Sequence, residues 1–174
     1  MIRSFNDKIA KIAESAFVSE AAYIVGDVEI GENSIVWPGA VLRGDFGKIK
    51  IGRNTAVEEN CVIHSGSLSG LGDVVVGDNV VIGHGAVLNC RKIGNNTLIG
   101  MNSTILHDVE IGNFCIIAAA CLVSQGMKIP DKSFVAGVPG KIKGEASAQQ
   151  LLWTQSNPEY CPWIAKQYKA GLGP

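Results

Sequence analysis

The chain has 174 residues, of which 47% are hydrophobic and 21 are glycine, with a formal net charge of −1. That length suits one domain with a substantial core, and a near-neutral balance without a basic run argues against nucleic acid as a partner. No apolar stretch reaches the about 20 residues that span a bilayer, so no membrane partner is expected.

Residues 1–23 read as a leader and cap, without the continuous apolar segment of a secretory signal. From Ile24 onward aliphatic residues recur at every sixth position: Ile24, Ile30, Val36 and Leu42, then Ile51, Val57 and Ile63, then Val76, Ile82 and Leu88. From Ile93 through Ile99, Ile105, Ile111, Ile117, Val123 and Ile129 to Val135 the period holds without a slip. Six is neither the helix period nor the two-residue strand alternation. It marks a solenoid in which a short strand and a turn repeat, three to a coil. The expected fold is therefore an all-β solenoid, a parallel β-helix with its cap over residues 1–143, followed by a helical segment over 144–174. Residues 147–154 and 160–170 read as two short helices split by Ser156, Asn157 and Pro158. Trp153, Trp163 and Tyr168 are expected to pack them onto the prism.

The period breaks at an insertion near residues 46–50, at a longer one over 65–73, and at a one-residue deletion between Leu88 and Ile93. Insertions into a solenoid loop out at its corners and commonly form the binding surface. The cysteines (Cys61, Cys90, Cys115, Cys121, Cys161) are odd in number and lack a paired spacing, so they read as packing residues in a reducing cytoplasm. The position after each hexad aliphatic is glycine at 31, 52, 77, 83, 94, 100 and 112, but large or polar at Trp37, Arg43, Glu58, His64 and Asn89. Counting faces in cyclic order stacks Arg43, His64 and Asn89 on one face, at the about 4.8 Å spacing of adjacent strands. His84 falls on another face. It meets a His64 only if prisms pack side by side about a threefold axis, an arrangement that would also cover an outward-pointing Trp37.

Trp37, the run Ala40-Val41-Leu42-Arg43-Gly44-Asp45, His64, Gly83-His84 and Ile99-Gly100-Met101 together resemble the γ-class carbonic anhydrases, over nearly the whole chain. The resemblance implies a left-handed β-helix, a homotrimer, and one Zn²⁺ or another divalent transition metal per interface, acting on CO₂ or bicarbonate. It also implies metal ligands at positions 64, 84 and 89. The third histidine of the family is Asn89 here, and an amide is a weak zinc ligand beside imidazole. Ala56, Glu58 and Glu59 stand where the family carries asparagine, glutamine and, usually, aspartate.

The resulting expectations are a metal site of His64, His84 and Asn89, with Arg43, Asp45 and Glu58 in catalytic positions and CO₂ hydration weakened or lost. Arg43 and Asp45 are expected to form an ion pair at the subunit interface. His107, one coil above Asn89 and one residue out of phase, is an alternative third ligand. Two other functions stand beside this one. The segment 135–141 resembles the closing segment of hexapeptide acyltransferases, which would use His84 or His107 as general base beside a CoA groove. The site substitutions also suit a non-enzymatic trimeric scaffold with a vestigial metal site.

Overall fold

In the computed structural model, which describes residues 1–66 and 72–171, the six-residue period becomes a three-faced, left-handed parallel β-helix. The first face stacks Phe17–Val18, Ile35–Val36, Ala56–Val57, Val81–Ile82, Leu98–Ile99, Ile116–Ile117 and Ser133–Ala136, and Lys141–Glu145 closes it antiparallel. The second face carries the leading halves of Tyr23–Ile30 and Val41–Ile51, then Val62–His64, Val87–Leu88, Thr104–Ile105 and Leu122–Val123. The third carries the trailing halves of the same two long strands with Lys11–Ile12, Val74–Val76, Lys92–Ile93, Glu110–Ile111 and Lys128–Ile129. Because the two long strands run through a corner and pair on both sides of it, the second and third faces join as one bent 12-stranded sheet.

Register follows the hexads. Leu42 lies opposite Ile63, Ile63 opposite Leu88, and Leu88 opposite Ile105. Each aliphatic therefore rests on its equivalent one coil away, and all four are buried. Each such side chain contributes about 1.5–3 kcal/mol, set against the cost of ordering the chain. The corner after the third face is purely structural. A Cβ on Gly52 would sit 2.4 Å from the carbonyl oxygen of Gly77, and one on Gly94 would sit 2.5 Å from the carbonyl carbon of Gly112, so the coils approach too closely there for any side chain. In the adjoining turn Asn54 and Asn79 adopt φ of 50° and 57°, a region asparagine tolerates better than most residues. Their amides form a ladder, Asn54 Nδ2 donating to Asn79 Oδ1 and Asn79 Nδ2 to Asn96 Oδ1, each at 3.2 Å.

Two expectations are corrected here. The coils begin well before Ile24: Lys11–Ile12 and Phe17–Val18 pair with the coil above, and Ile2–Arg3 pairs beside Ile24. The insertion near 46–50 bulges at the corner within the strand Val41–Ile51: pairing steps from Gly26–Gly44 to Val28–Ile49, so residues 45–48 stand against Asp27 alone. Trp153 and Trp163 do not pack the helices, being 71% and 58% exposed. Helix α1 (Ala148–Gln155) is capped by Ser147, which forms a capping box with Gln150. Helix α2 (Asn157–Gly171) follows after Ser156 alone, and Pro158 lies in its first turn, where no intrahelical N–H is required. It is the small residues Cys161 and Ala165 that bring α2 against Phe17, Ile35 and Ala56. Tyr168 then covers Trp37 at 4.8 Å and Phe17 at 5.4 Å between ring centroids. Trp37 is thus covered within its own chain, and its position no longer argues for a neighbour.

Of the insertion over 65–73, residues 67–71 lie outside the described residues. Its ends are tied down, with Gly66 N–H donating to the Gly72 carbonyl at 3.0 Å and Ser65 Oγ donating to the Gly47 carbonyl at 2.7 Å. All five cysteines are free and buried, and burial pushes the Cys90 and Cys161 thiols up to about 12. Among the described residues no helix is long and apolar enough to cross a membrane.

Candidate metal centre

The corner after the second face carries the expected stack. Strand pairing sets Arg43 opposite His64, and the next pair of strands brings Asn89 to the level above. Asn89 Nδ2 lies 3.3 Å from His64 Nδ1 and 3.3 Å from the His64 carbonyl oxygen. Two acceptors facing one nitrogen fix the amide with its NH₂ toward the ring. Nδ1 then accepts, so the neutral imidazole carries its proton on Nε2 and donates to Asp45 Oδ1 at 3.2 Å. Asp45 in turn accepts from Arg43 Nη1 at 2.5 Å and from the Phe46 backbone N–H at 3.0 Å. Burial pushes the Asp45 carboxyl up, but the bonds from Arg43, Phe46 and His64 outweigh it and hold the group below its ordinary value. The Phe46 ring stands edge-on to His64, with centroids 6.5 Å apart.

The corner after the first face holds a second cluster. Backbone bonds from Glu58 N–H to the Ile82 carbonyl and from Gly83 N–H to the Ile99 carbonyl stack Glu58, Gly83 and Gly100 in successive coils. Gly83 has no side chain, and the Glu58 carboxylate runs past it to His84. Its Oε2 accepts from the His84 backbone N–H at 3.2 Å and stands 3.0 Å from Nε2. On the far side of the ring, Glu59 Oε2 is 2.6 Å from Nδ1. Burial pushes the Glu58 carboxyl above its ordinary value, with His84 pulling against it. The His84 side chain is 52% exposed, whereas that of His64 is only 19% exposed. Sequence offers Glu58 as a candidate that supplies charge in place of the absent histidine and Glu59 as a departure from the family, and pairs neither with His84. The face count that stacks His64 on Arg43 also stacks Gly83 on Glu58 and sets His84 beside Glu59.

Next to this cluster a groove of about 370 Å³ opens between the first face and Trp153 of α1, floored by Leu98, Ile116, Ala118 and Ala119. A larger depression of about 490 Å³, lined by Asp73, Arg91, Lys92 and Glu110, contains no histidine. His107 is half-buried and shares a crevice with Asn89 and Cys90, beside the stack rather than in it.

Within one chain, among the described residues, no three metal-ligating side chains converge. The reason is geometric. His64 and His84 follow strands of different faces, and the two carboxylates at His84 lie against opposite ring nitrogens. The donor chemistry nonetheless fits a divalent transition metal. Glu59 holds one nitrogen of His84 as metal-binding histidines are commonly held, and Asp45 holds one nitrogen of His64 in the same way. Asn89 differs: it presents N–H to His64 and so braces that ring.

The family model described as bacterial transferase hexapeptide (six repeats) matches residues 9–44 and 92–125. The mitochondrial γ carbonic anhydrase 2 of Arabidopsis thaliana is 32% identical over 158 residues, 88% of this chain and 57% of its own length. The carnitine operon protein CaiE of Escherichia coli is 32% identical over 154 residues, covering 88% of this chain and 77% of its own. A solved hexapeptide transferase family protein from Anaplasma phagocytophilum matches with a TM-score of 0.89 at 31% identity, covering 97% of this chain and 98% of that one. The chain thus spans under two thirds of the length of the plant relatives, 57% and 58% of the two matched.

Proposed function

Because the chain belongs to the γ-carbonic-anhydrase-like family of hexapeptide-repeat proteins, we propose that it is a homotrimer with an altered divalent-metal site between neighbouring prisms and weak CO₂ hydration. One observation carries this reading. The two histidines at the family's ligand positions follow different faces, while the third position holds an amide already committed to His64. When bound, the metal acts as a Lewis acid that makes a nucleophile of water at neutral pH.

The residues of this chain supply the frame. Asp45 fixes the plane and tautomer of His64 and Arg43 anchors Asp45, so the nitrogen that would take the ion is Nδ1, with the Asn89 N–H giving way to it. Glu59 fixes His84. The test is metal analysis of protein purified without chelators, followed by stopped-flow CO₂ hydration of the zinc-loaded protein. The expected result is bound divalent metal with a rate at least about 10–100-fold below that of a three-histidine enzyme, since loss of even one orienting partner costs that much. A full anhydrase rate overturns the altered-site reading. A protein with neither metal nor activity is a scaffold.

The groove under Trp153 favours a second reading, a CoA-dependent acyltransferase with His84 as base. Against it, both nitrogens of that ring already face carboxylates. Saturable binding of acetyl-CoA by the metal-free protein would support it.

A further inference from the structure

We propose that Glu58 takes over the ligand role that Asn89 cannot fill, so that the ion is held by His64 of one chain and by His84 and Glu58 of its neighbour. The inference rests on the interface metal site proposed above and names its donor set.

Three observations carry it. First, His84 Nε2 and Glu58 Oε2 converge at 3.0 Å. Donors bound to one tetrahedral zinc at about 2.0–2.2 Å lie about 3.3 Å from each other, so the pair is already spaced as two ligands of a shared ion. Second, Glu59 sits at 2.6 Å on Nδ1, which directs the Nε2 lone pair toward Glu58. Third, the competing carboxylates are engaged elsewhere. Glu59 lies on the wrong side of the ring to share an ion with Nε2. Asp45 is taken by Arg43 and the Phe46 N–H.

Two imidazoles with one carboxylate form an ordinary catalytic zinc set. They differ from three imidazoles in charge, because an anionic ligand offsets part of the ion's charge and acidifies water less. Weak CO₂ hydration then follows from the donor set itself.

The test uses the chelator-treated full-length protein, with zinc titrated against a chromophoric competitor and Co²⁺ as the spectroscopic probe. Glu58→Gln, which keeps the shape and a hydrogen-bonding oxygen, should lose more than about 100-fold in zinc affinity and change the visible Co²⁺ spectrum. Glu59→Gln should lose about 10–100-fold, the effect of an orienting partner, with the Co²⁺ spectrum retained. X-ray absorption of the zinc-loaded wild type, which depends on no variant, should count two imidazoles. Wild-type affinity and spectrum in Glu58→Gln, or three imidazoles in the wild type, overturn the role of Glu58 and leave the interface metal site standing. No zinc binding by the wild type overturns both.

Discussion

Asn89 stands one strand spacing from His64, and its amide nitrogen is held by two acceptors on that residue. Asn89→His puts a second imidazole about 4.8 Å along the same stack, with its lone pair free for an ion. Zinc affinity should rise at least about tenfold, a gain of about 1.4 kcal/mol, and adding His84→Ala should abolish the gain. Competition titration of the four proteins reads both effects, and equal affinity in wild type and Asn89→His would mean that the stack does not face the metal. The stack itself is legible from sequence because Arg43, His64 and Asn89 each follow a hexad aliphatic, and the period fixes both level and direction. What sequence does not give is the orientation of the amide, which depends on where the ring nitrogen and carbonyl oxygen of His64 fall in space. Glu59 is reached from sequence only through the same face count, which sets His84 one coil above it, and its 2.6 Å contact with Nδ1 comes from the structure.

Among the elements, the β-helix is legible and the helices only partly so. A strict period of six leaves one fold that buries every aliphatic, and the slips of that period locate the corners. The start of the coils is harder to read: Ile12 and Val18 continue the series, but the exposed residues around them resemble a leader. The insertion near 46–50 breaks the count, and strand pairing likewise stops at Gly44 and resumes at Ile49, so the extra residues bulge at the corner. For the helices, large aromatics are natural candidates for packing, but α2 makes its closest contact through Cys161 and Ala165, and bulk there would lift it from the sheet. Tyr168 is the aromatic that packs, meeting Phe17 and Trp37. Each such pair contributes about 0.5–1.5 kcal/mol beyond burial, so Tyr168→Ala should destabilise the protein by about 1–3 kcal/mol. Trp153 and Trp163 are exposed already, so a red shift of the emission in the native variant reports uncovering of Trp37. Unchanged emission and melting temperature would show that α2 does not depend on this contact.

At the scale of the whole molecule, the corners divide the work. One is closed by glycine and asparagine, one carries His64 with its bracing residues, and one carries His84 with two carboxylates. In the proposed site each chain supplies half a donor set from each of two corners and completes it against another copy, and a closed ring of three would repeat the same contact at every interface. The proposed assembly can be tested by complementation. In His64→Ala every interface lacks one imidazole, and in His84→Ala every interface lacks the other, so neither variant alone should hold zinc tightly. When the two are co-assembled in equal amounts, an interface is intact if one side brings His64 and the other brings His84. Random closure into trimers gives that pairing at about one interface in four. Zinc content should therefore recover to about a quarter of the wild-type value, in particles that light scattering weighs as three chains of 18.4 kDa each. A site contained within one chain cannot be rescued by mixing, because every chain in the mixture lacks a ligand. Zinc content that stays at the level of the parent variants, in particles confirmed as mixed trimers, would show that the two histidines do not share an ion.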